Sequence, residues 1–383
     1  MAWSPQQESA LKSVGAWLAD PGRRQVFRLF GFAGTGKTTL AKEMAEMVEG
    51  KVVFACFTGK AALVLRSKGC KGASTIHVLI YKLDDDGMGA PKFRLNPDSD
   101  AKRAKLVIID ECSMVDEKLG QDLLSFGTPV LVLGDPAQLP PVQGGGFFTN
   151  HDPDVMLTEI HRQASENPII AMAQIVREGG RLDLGTYGSS RVIRRQEIAA
   201  GDVLNSGQVL VGINKTRRSY NARIRELLGR AHDAIPEPGD RLVCLRNNHT
   251  KGLLNGGLWT VIDAVNGDPR GRRKRRAAIE EARIFELTLA PEDAGVKDKH
   301  VIISTPRLFF EGREGELSWN ERRDYDEFDF GYALTVHKSQ GSQWDDVIVF
   351  DESGAFRQDR ARHLYTAITR AAERVTVVDM RAS

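Results

Sequence analysis

Cysteine is scarce. The 383 residues include four, Cys56, Cys70, Cys112 and Cys244, far apart, with no CxxC pair and no histidine at ligand spacing. That usage excludes a disulfide framework and offers no zinc ligand set. Cys56 and Cys112 adjoin apolar runs, which suits buried, inert thiols. Excess charge is nearly absent as well, since 53 Lys and Arg face 51 Asp and Glu for a formal net +2. Any contact with nucleic acid must therefore rest on local patches rather than on bulk charge. Long hydrophobic runs are missing too, and none approaches the roughly 20 residues that a membrane span needs. The first residues, MAWSPQQESA, have neither the basic flank nor the apolar core of a signal peptide. A soluble, cytoplasmic chain without membrane contact is the expectation.

What is present is an ordinary globular balance, 27% charged and 41% hydrophobic, which excludes wholesale disorder. The length suits two to three domains of roughly 150 residues each. Short apolar runs recur at residues 25–30 (QVFRLF), 51–57 (KVVFACF), 104–110 (AKLVIID) and 128–135 (TPVLVLGD), each followed by turn residues and a helical stretch. Unalternated Val, Ile, Leu and Phe suit strands buried on both faces, hence an α/β fold with a parallel sheet under helices. The pattern resumes at 208–214 (QVLVGIN), 347–351 (VIVFD) and 374–379 (RVTVVD), which predicts a second sheet module. Residues 81–104, polar and rich in Asp, Gly and Pro, are too long for an ordinary loop and predict a small insertion. Residues 239–329 hold short strand-like pieces between Asn, Gly and Pro turns, which predicts an all-β insert. Within them, residues 270–276 (RGRRKRR) form a basic run that reads either as a solvated loop or as a patch for nucleic acid.

Gly31-Phe32-Ala33-Gly34-Thr35-Gly36-Lys37-Thr38, with Thr39 after it, is a complete phosphate-binding loop between a strand-like run and a helical stretch. Glycines let backbone N–H groups close around phosphates, and the helix N-terminus adds favourable dipole charge. Lys37 is expected on the β- and γ-phosphates of ATP and the Thr38 hydroxyl on Mg²⁺. About seventy residues on, Leu106-Val107-Ile108-Ile109 reads as a buried strand with Asp110 and Glu111 at its carboxyl end, where ligands of open α/β sheets bind. Asp110 suits the Mg²⁺ shell and Glu111 the base that activates water.

Further motifs follow in order: Gln7-Glu8-Ser9-Ala10-Leu11; Thr58-Gly59-Lys60-Ala61-Ala62; Thr75-Ile76-His77; Gly134-Asp135-Pro136-Ala137-Gln138-Leu139-Pro140-Pro141; Leu157-Thr158-Glu159-Ile160-His161-Arg162-Gln163; Ala333-Leu334-Thr335-Val336-His337-Lys338-Ser339-Gln340-Gly341; and Leu364-Tyr365-Thr366-Ala367-Ile368-Thr369-Arg370. This set resembles the RecD-like and Dda-like branch of the superfamily 1 helicases nearly end to end. The resemblance implies an ATP-dependent DNA helicase that moves 5′→3′ on single-stranded DNA, acts on tailed duplexes and serves replication, repair or recombination, and the chain's size makes a monomer the expectation. It implies two RecA-like P-loop motor domains, residues 1–80 with 105–150 and residues 151–238 with 330–383. A pin at 81–104 and an SH3-like β insertion at 239–329 complete them.

By the same resemblance, Gln7 contacts adenine, Gln138 senses the γ-phosphate, and Arg162 and Arg370 are arginine fingers. Gln340 and Gly341 face the nucleotide. Thr58, Lys60, Thr75, His77, Thr335, His337 and Lys338 contact the strand, mostly through phosphates, because a motor must step over any sequence. Phe93, between Lys92 and Arg94 in the pin, either stacks on a base or packs the insertion onto its host. Two other readings stand beside the motor. A P-loop kinase leaves the segments 134–141 and 335–341 without a use, and intact Lys37, Asp110, Glu111, Gln138 and Arg370 speak against a binding protein with a silent ATP site.

Overall fold

Apolar runs without polar alternation become strands covered on both faces. In the computed structural model, which describes residues 3–84, 92–141, 146–159, 167–231, 234–248, 250–264, 284–292 and 300–381, the first such group is β1 (Val26–Gly31), β2 (Val52–Cys56), β3 (Ser74–Thr75), β6 (Leu106–Asp110), β7 (Val130–Gly134) and β8 (Val155–Leu157). They form one sheet in the order β3-β2-β6-β7-β1-β8, and every pairing is parallel. β6 and β7 are buried at every position. Leu29, Leu106, Ile108 and Leu131 belong to the core on one face, and Phe30, Val107, Ile109 and Val132 to the core on the other. Between β3 and β6 lies an antiparallel hairpin, β4 (Tyr81–Asp84) with β5 (Lys92–Leu95).

The second group is β9 (Gly185–Tyr187), β10 (Ser190–Arg194), β11 (Gln208–Val211), β17 (Ala333–Thr335), β18 (Trp344–Asp351) and β19 (Ala371–Asp379), in the order β17-β11-β18-β19-β10-β9. All its pairings are parallel except β9 with β10. Two RecA-like sheets, the expected architecture, are therefore present. A third, antiparallel sheet, β15-β14-β13-β12-β16, runs through β12 (Arg241–Cys244), β13 (Leu258–Ala264), β14 (Ile284–Pro291), β15 (Val301–Pro306) and β16 (Phe328–Phe330). Along β14 buried positions alternate with partly exposed ones, and Trp259, Phe285, Phe310 and Phe328 fill a core of its own. The insert is fastened to the second sheet by buried charge. Arg217 pairs with Asp329 at 2.7 Å, and Asp240 accepts from Arg225 at 3.2 Å and from the Tyr332 hydroxyl at 2.8 Å. Such pairs stabilise little net of desolvation, but breaking one strands a buried charge.

Cys56, Cys70, Cys112 and Cys244 are all buried free thiols, and burial raises the pKa of each. No helix among the described residues is long and apolar enough to cross a membrane. The basic run at 270–276 and the segment with His161, Arg162 and Gln163 lie outside the described residues.

Candidate functional site

The phosphate loop begins where β1 ends. Gly31 is hemmed in, since a Cβ there would meet the Thr35 hydroxyl at 2.6 Å and Leu157 Cβ at 2.8 Å. Gly34 and Gly36 both have φ of 80°, a conformation side chains disfavour, and Gly36 is the residue that opens α2 (Lys37–Glu46). The Lys37 ammonium donates to the carbonyls of Gly31 at 2.6 Å and Phe32 at 2.9 Å, so it is folded onto its own loop.

Asp110 ends β6 beside this loop. The Thr38 hydroxyl donates to its Oδ2 at 3.0 Å, and the Glu111 N–H donates to its Oδ1 at 2.9 Å. Burial pushes the Asp110 carboxyl up, Glu111 adds to the rise, and Lys37 opposes it. A hydroxyl and a buried carboxylate whose charge lacks compensation are the donor set a Mg²⁺ ion fits. Glu111 has φ 53° and ψ 47°, left-handed for a residue with a side chain. Strain of this kind, on the order of 1–3 kcal/mol, clusters at functional sites.

Lys37, Thr38, Asp110, Glu111, Gln138 and Arg370 line one cavity of about 370 Å³. Gly34, Gly36 and Thr39 line it too, as does Gly341 from the second sheet. Gln138 is buried, and its Oε1 has no hydrogen-bond partner among the described residues. The Arg370 guanidinium is held by its own module, donating to the carbonyls of Thr366 at 3.1 Å and Ser342 at 3.2 Å. Lys68, Ser342 and Gln343 also line the cavity. Sequence reasoning missed them, and only the two residues following Gly341 carried a signal, their adjacency to a motif.

Three expected nucleotide contacts stand differently. Gln7 is buried under the loop: its amide donates to the Thr35 carbonyl at 3.1 Å, and its Oε1 accepts from the Ser4 N–H in a capping box that opens α1 (Pro5–Ala19). It is not among the residues lining the cavity. Gln340 instead donates to the Leu139 carbonyl at 2.9 Å, bridging the two sheets, and lies off the cavity wall. Thr35 is buried, with its hydroxyl bonded to the Phe32 carbonyl at 2.8 Å, so it shapes the loop.

The sheets are tied by contacts between two of the quoted motifs, residues 134–141 and 364–370. Tyr365 donates to the buried Asp135 carboxylate at 2.6 Å and accepts from the Ala33 N–H of the phosphate loop at 2.9 Å. Thr366 accepts from the Leu139 N–H at 2.9 Å. Arg177, which ends the helix Pro168–Arg177, lies 3.6 Å over the Phe32 ring.

The motif threonines share one local role. Thr58 opens α3 (Gly59–Ser67) and Thr75 opens α4 (Ile76–Ile80), while α5 (Pro168–Arg177) is opened by Asn167. Thr335 opens α6 (Val336–Ser339). Each threonine hydroxyl accepts a backbone N–H, from Ala61, Val78 or Lys338, because the first amides of a helix need an acceptor. Thr75 and Thr335 are buried, and their hydroxyls are engaged in the cap. Lys60 also departs from expectation. It is buried, with its ammonium 4.9 Å from the Trp344 ring of the second module, where the cation gains from the aromatic face.

His77 sits among aromatic rings, 6.0 Å from Phe57, 5.7 Å from Tyr81 and 6.2 Å from Phe93. Phe93 is 60% exposed on β5, so it both touches its host and presents a face to solvent. His337 stands 5.7 Å from Phe356. Burial pulls both imidazoles below their usual pKa. Burial, with Arg217 nearby, brings Lys338 down to about 8.

A family described as an AAA domain matches residues 3–197, and a UvrD-like helicase C-terminal domain matches residues 330–378. The ATP-dependent RecD2 DNA helicase of Deinococcus radiodurans is 30% identical over 97% of this chain and 48% of its own length. The ATP-dependent DNA helicase dda of Enterobacteria phage T4 is 35% identical over 39% of this chain and 37% of its own. The chain thus spans about half or less of these curated relatives. A structure of two coordinating Pif1 helicases unwinding forked duplex DNA shares the fold, with a TM-score of 0.61 at 19% identity over 100% of this chain and 93% of that one.

Proposed function

This chain belongs to the AAA-domain P-loop family, in the RecD-like and Dda-like branch of superfamily 1 helicases, and on that premise we propose that it is an ATP-driven DNA helicase. It moves 5′→3′ on single-stranded DNA and separates tailed duplexes. One observation carries the proposal: Lys37, Thr38, Asp110, Glu111 and Gln138 of the first sheet share a cavity with Arg370 of the second. A cavity completed by two modules converts a phosphate event into motion between them.

γ-Phosphoryl transfer places negative charge on equatorial oxygens, and catalysis is largely positioning and electrostatic stabilisation. Lys37 exchanges its loop carbonyls for phosphate oxygens. Glu111 orients water and accepts its proton, and Gln138 reads the terminal phosphate. Arg370 neutralises the developing charge from the second module, with Arg162 as its companion. Thr38 and Asp110 would hold Mg²⁺, which supplies charge neutralisation at the phosphates. The Tyr365–Asp135 and Gln340–Leu139 bonds carry the change between sheets.

The strand crosses the faces opened by Thr58, Thr75 and Thr335, where helix N-terminal amides meet phosphates and His77, His337 and Lys338 stand close by. The β4–β5 hairpin with Phe93 is the wedge at the fork. Residues 1–80 with 105–150 and 151–238 with 330–383 act as the motor domains, and 239–329 as an SH3-like insert, in a cytoplasmic monomer. Phosphate release measured with and without a single-stranded oligonucleotide tests the proposal. Strong stimulation supports a motor, and absence of turnover makes the chain a binding protein with a silent site.

A further inference from the structure

A second cavity, about 440 Å³, lies outside the site described above, at the carboxyl ends of β18 and β19. Asp351 and Asp379, the paired last residues of those strands, line it. In open α/β sheets, ligands bind beyond the carboxyl ends of the strands. The helix α7 (Arg360–Ile368) also lines it, through Arg360 and Ala361 of its first turn and Leu364 of its second, and it has no side-chain cap and no acidic residue in its first turn. The Arg360 N–H already donates to the Arg357 carbonyl, so only the amides after it are left to meet an anion.

A second observation points the same way. Ser353 lines the cavity and is 1% exposed, yet its Oγ has no hydrogen-bond partner among the described residues. A buried hydroxyl left unpaired calls for a partner. Arg357, also on the wall, has φ 44° and ψ −104°, a conformation that strains an L residue. Arg181, Arg357 and Arg360 form no ion pair among the described residues. Of the opposing charges, Asp379 is bound by Arg381 at 2.7 Å, and Asp351 accepts from the Ser353 N–H at 2.9 Å. Leu182, Val192, Leu364 and Val377 give the wall an apolar part.

We propose that this cavity binds a nucleoside phosphate, the phosphoryl group against Ser353, Arg357 and the α7 N-terminus and the base against the apolar wall. The same chemistry is offered by a free nucleotide and by the phosphorylated end of a strand. None of these residues belongs to the phosphate-loop cavity, so the two sites separate by mutation.

Equilibrium dialysis of labelled dTMP against the full chain tests this. The parent and Lys37→Ala are expected to bind one equivalent with similar affinity. Ser353→Ala and the double variant Arg357→Ala/Arg360→Ala should bind at least about tenfold more weakly, the worth of one hydrogen bond to a charged group. Thermal melts show whether each variant is folded, and Ser353→Ala, which removes one atom, keeps the test open if the double variant is not. Displacement of dTMP by a 5′-phosphorylated oligonucleotide, but not by its 5′-hydroxyl twin, assigns the site to strand ends. Displacement by neither assigns it to free nucleotide. No saturable binding, binding abolished in Lys37→Ala, or binding unchanged in both folded arginine and serine variants overturns the proposal.

Discussion

Tyr365→Phe removes one oxygen and tests how the two sheets are joined. That oxygen donates to the Asp135 carboxylate at 2.6 Å and accepts from the Ala33 N–H at 2.9 Å. A hydrogen bond to a charged group is worth about 1.5–3 kcal/mol, and an orphaned buried acceptor costs a similar amount. We therefore expect a loss of about 2 kcal/mol, which for a chain of this size is a fall in Tm of a few degrees. Burial raises the Asp135 pKa, and Lys37 and Tyr365 pull against that rise. Because the folded value stands above the unfolded one, this group favours folding at acid pH and the benefit is lost as pH rises through the folded value. Losing Tyr365 raises the folded value further, so the gap between variant and parent should be larger at the higher of two pH values taken on either side of it. Denaturant melts at both pH values measure it, and DNA-stimulated ATP turnover should fall in parallel because the phosphate loop loses its tie to the second module. An equal gap at both pH values, or normal turnover in a destabilised variant, would refute the reasoning.

Glu111→Gln should keep ATP bound in a filter assay yet block hydrolysis, since the amide retains shape but cannot accept the proton; failure to bind ATP would make Glu111 structural. Arg370→Ala should lower kcat by at least about 10²-fold with a smaller change in ATP affinity. A change confined to affinity would make it a binding residue only. Replacing residues 84–98 with a short Gly-Ser link should spare DNA-stimulated ATP hydrolysis, because loop closure costs little, while unwinding of a tailed duplex drops severely. Phe93→Ala should show a milder form of that split, one base–aromatic stack being worth roughly 1–3 kcal/mol.

The architecture and the heart of the site were legible in the residues because both follow from local rules. β6 and β7 carry unbroken apolar runs, and a strand buried on both faces has no other use for them. Gly31, Gly34 and Gly36 are dictated by close approach and positive φ, so the loop announces itself. What escaped depends on partners far away in the chain. Tyr365 and Asp135 are 230 positions apart, and nothing near either one predicts their bond. Lys60, expected on the strand, packs against Trp344 of the other module, and Gln7, expected on adenine, holds the Thr35 carbonyl. The threonines follow a second, local rule. Thr–x–x at a helix start is a capping signal in its own right, and Thr58, Thr75 and Thr335 all answer to it.

The central claim is that ATP hydrolysis in the shared cavity drives directional strand separation. Strand displacement on matched duplexes bearing a 5′ or a 3′ single-stranded tail, with ATP and Mg²⁺, tests it most directly. The account predicts displacement from the 5′-tailed substrate alone, abolished in Lys37→Ala while single-strand binding persists. Displacement without ATP, equal displacement from both tails, or parent-like displacement by Lys37→Ala would contradict it.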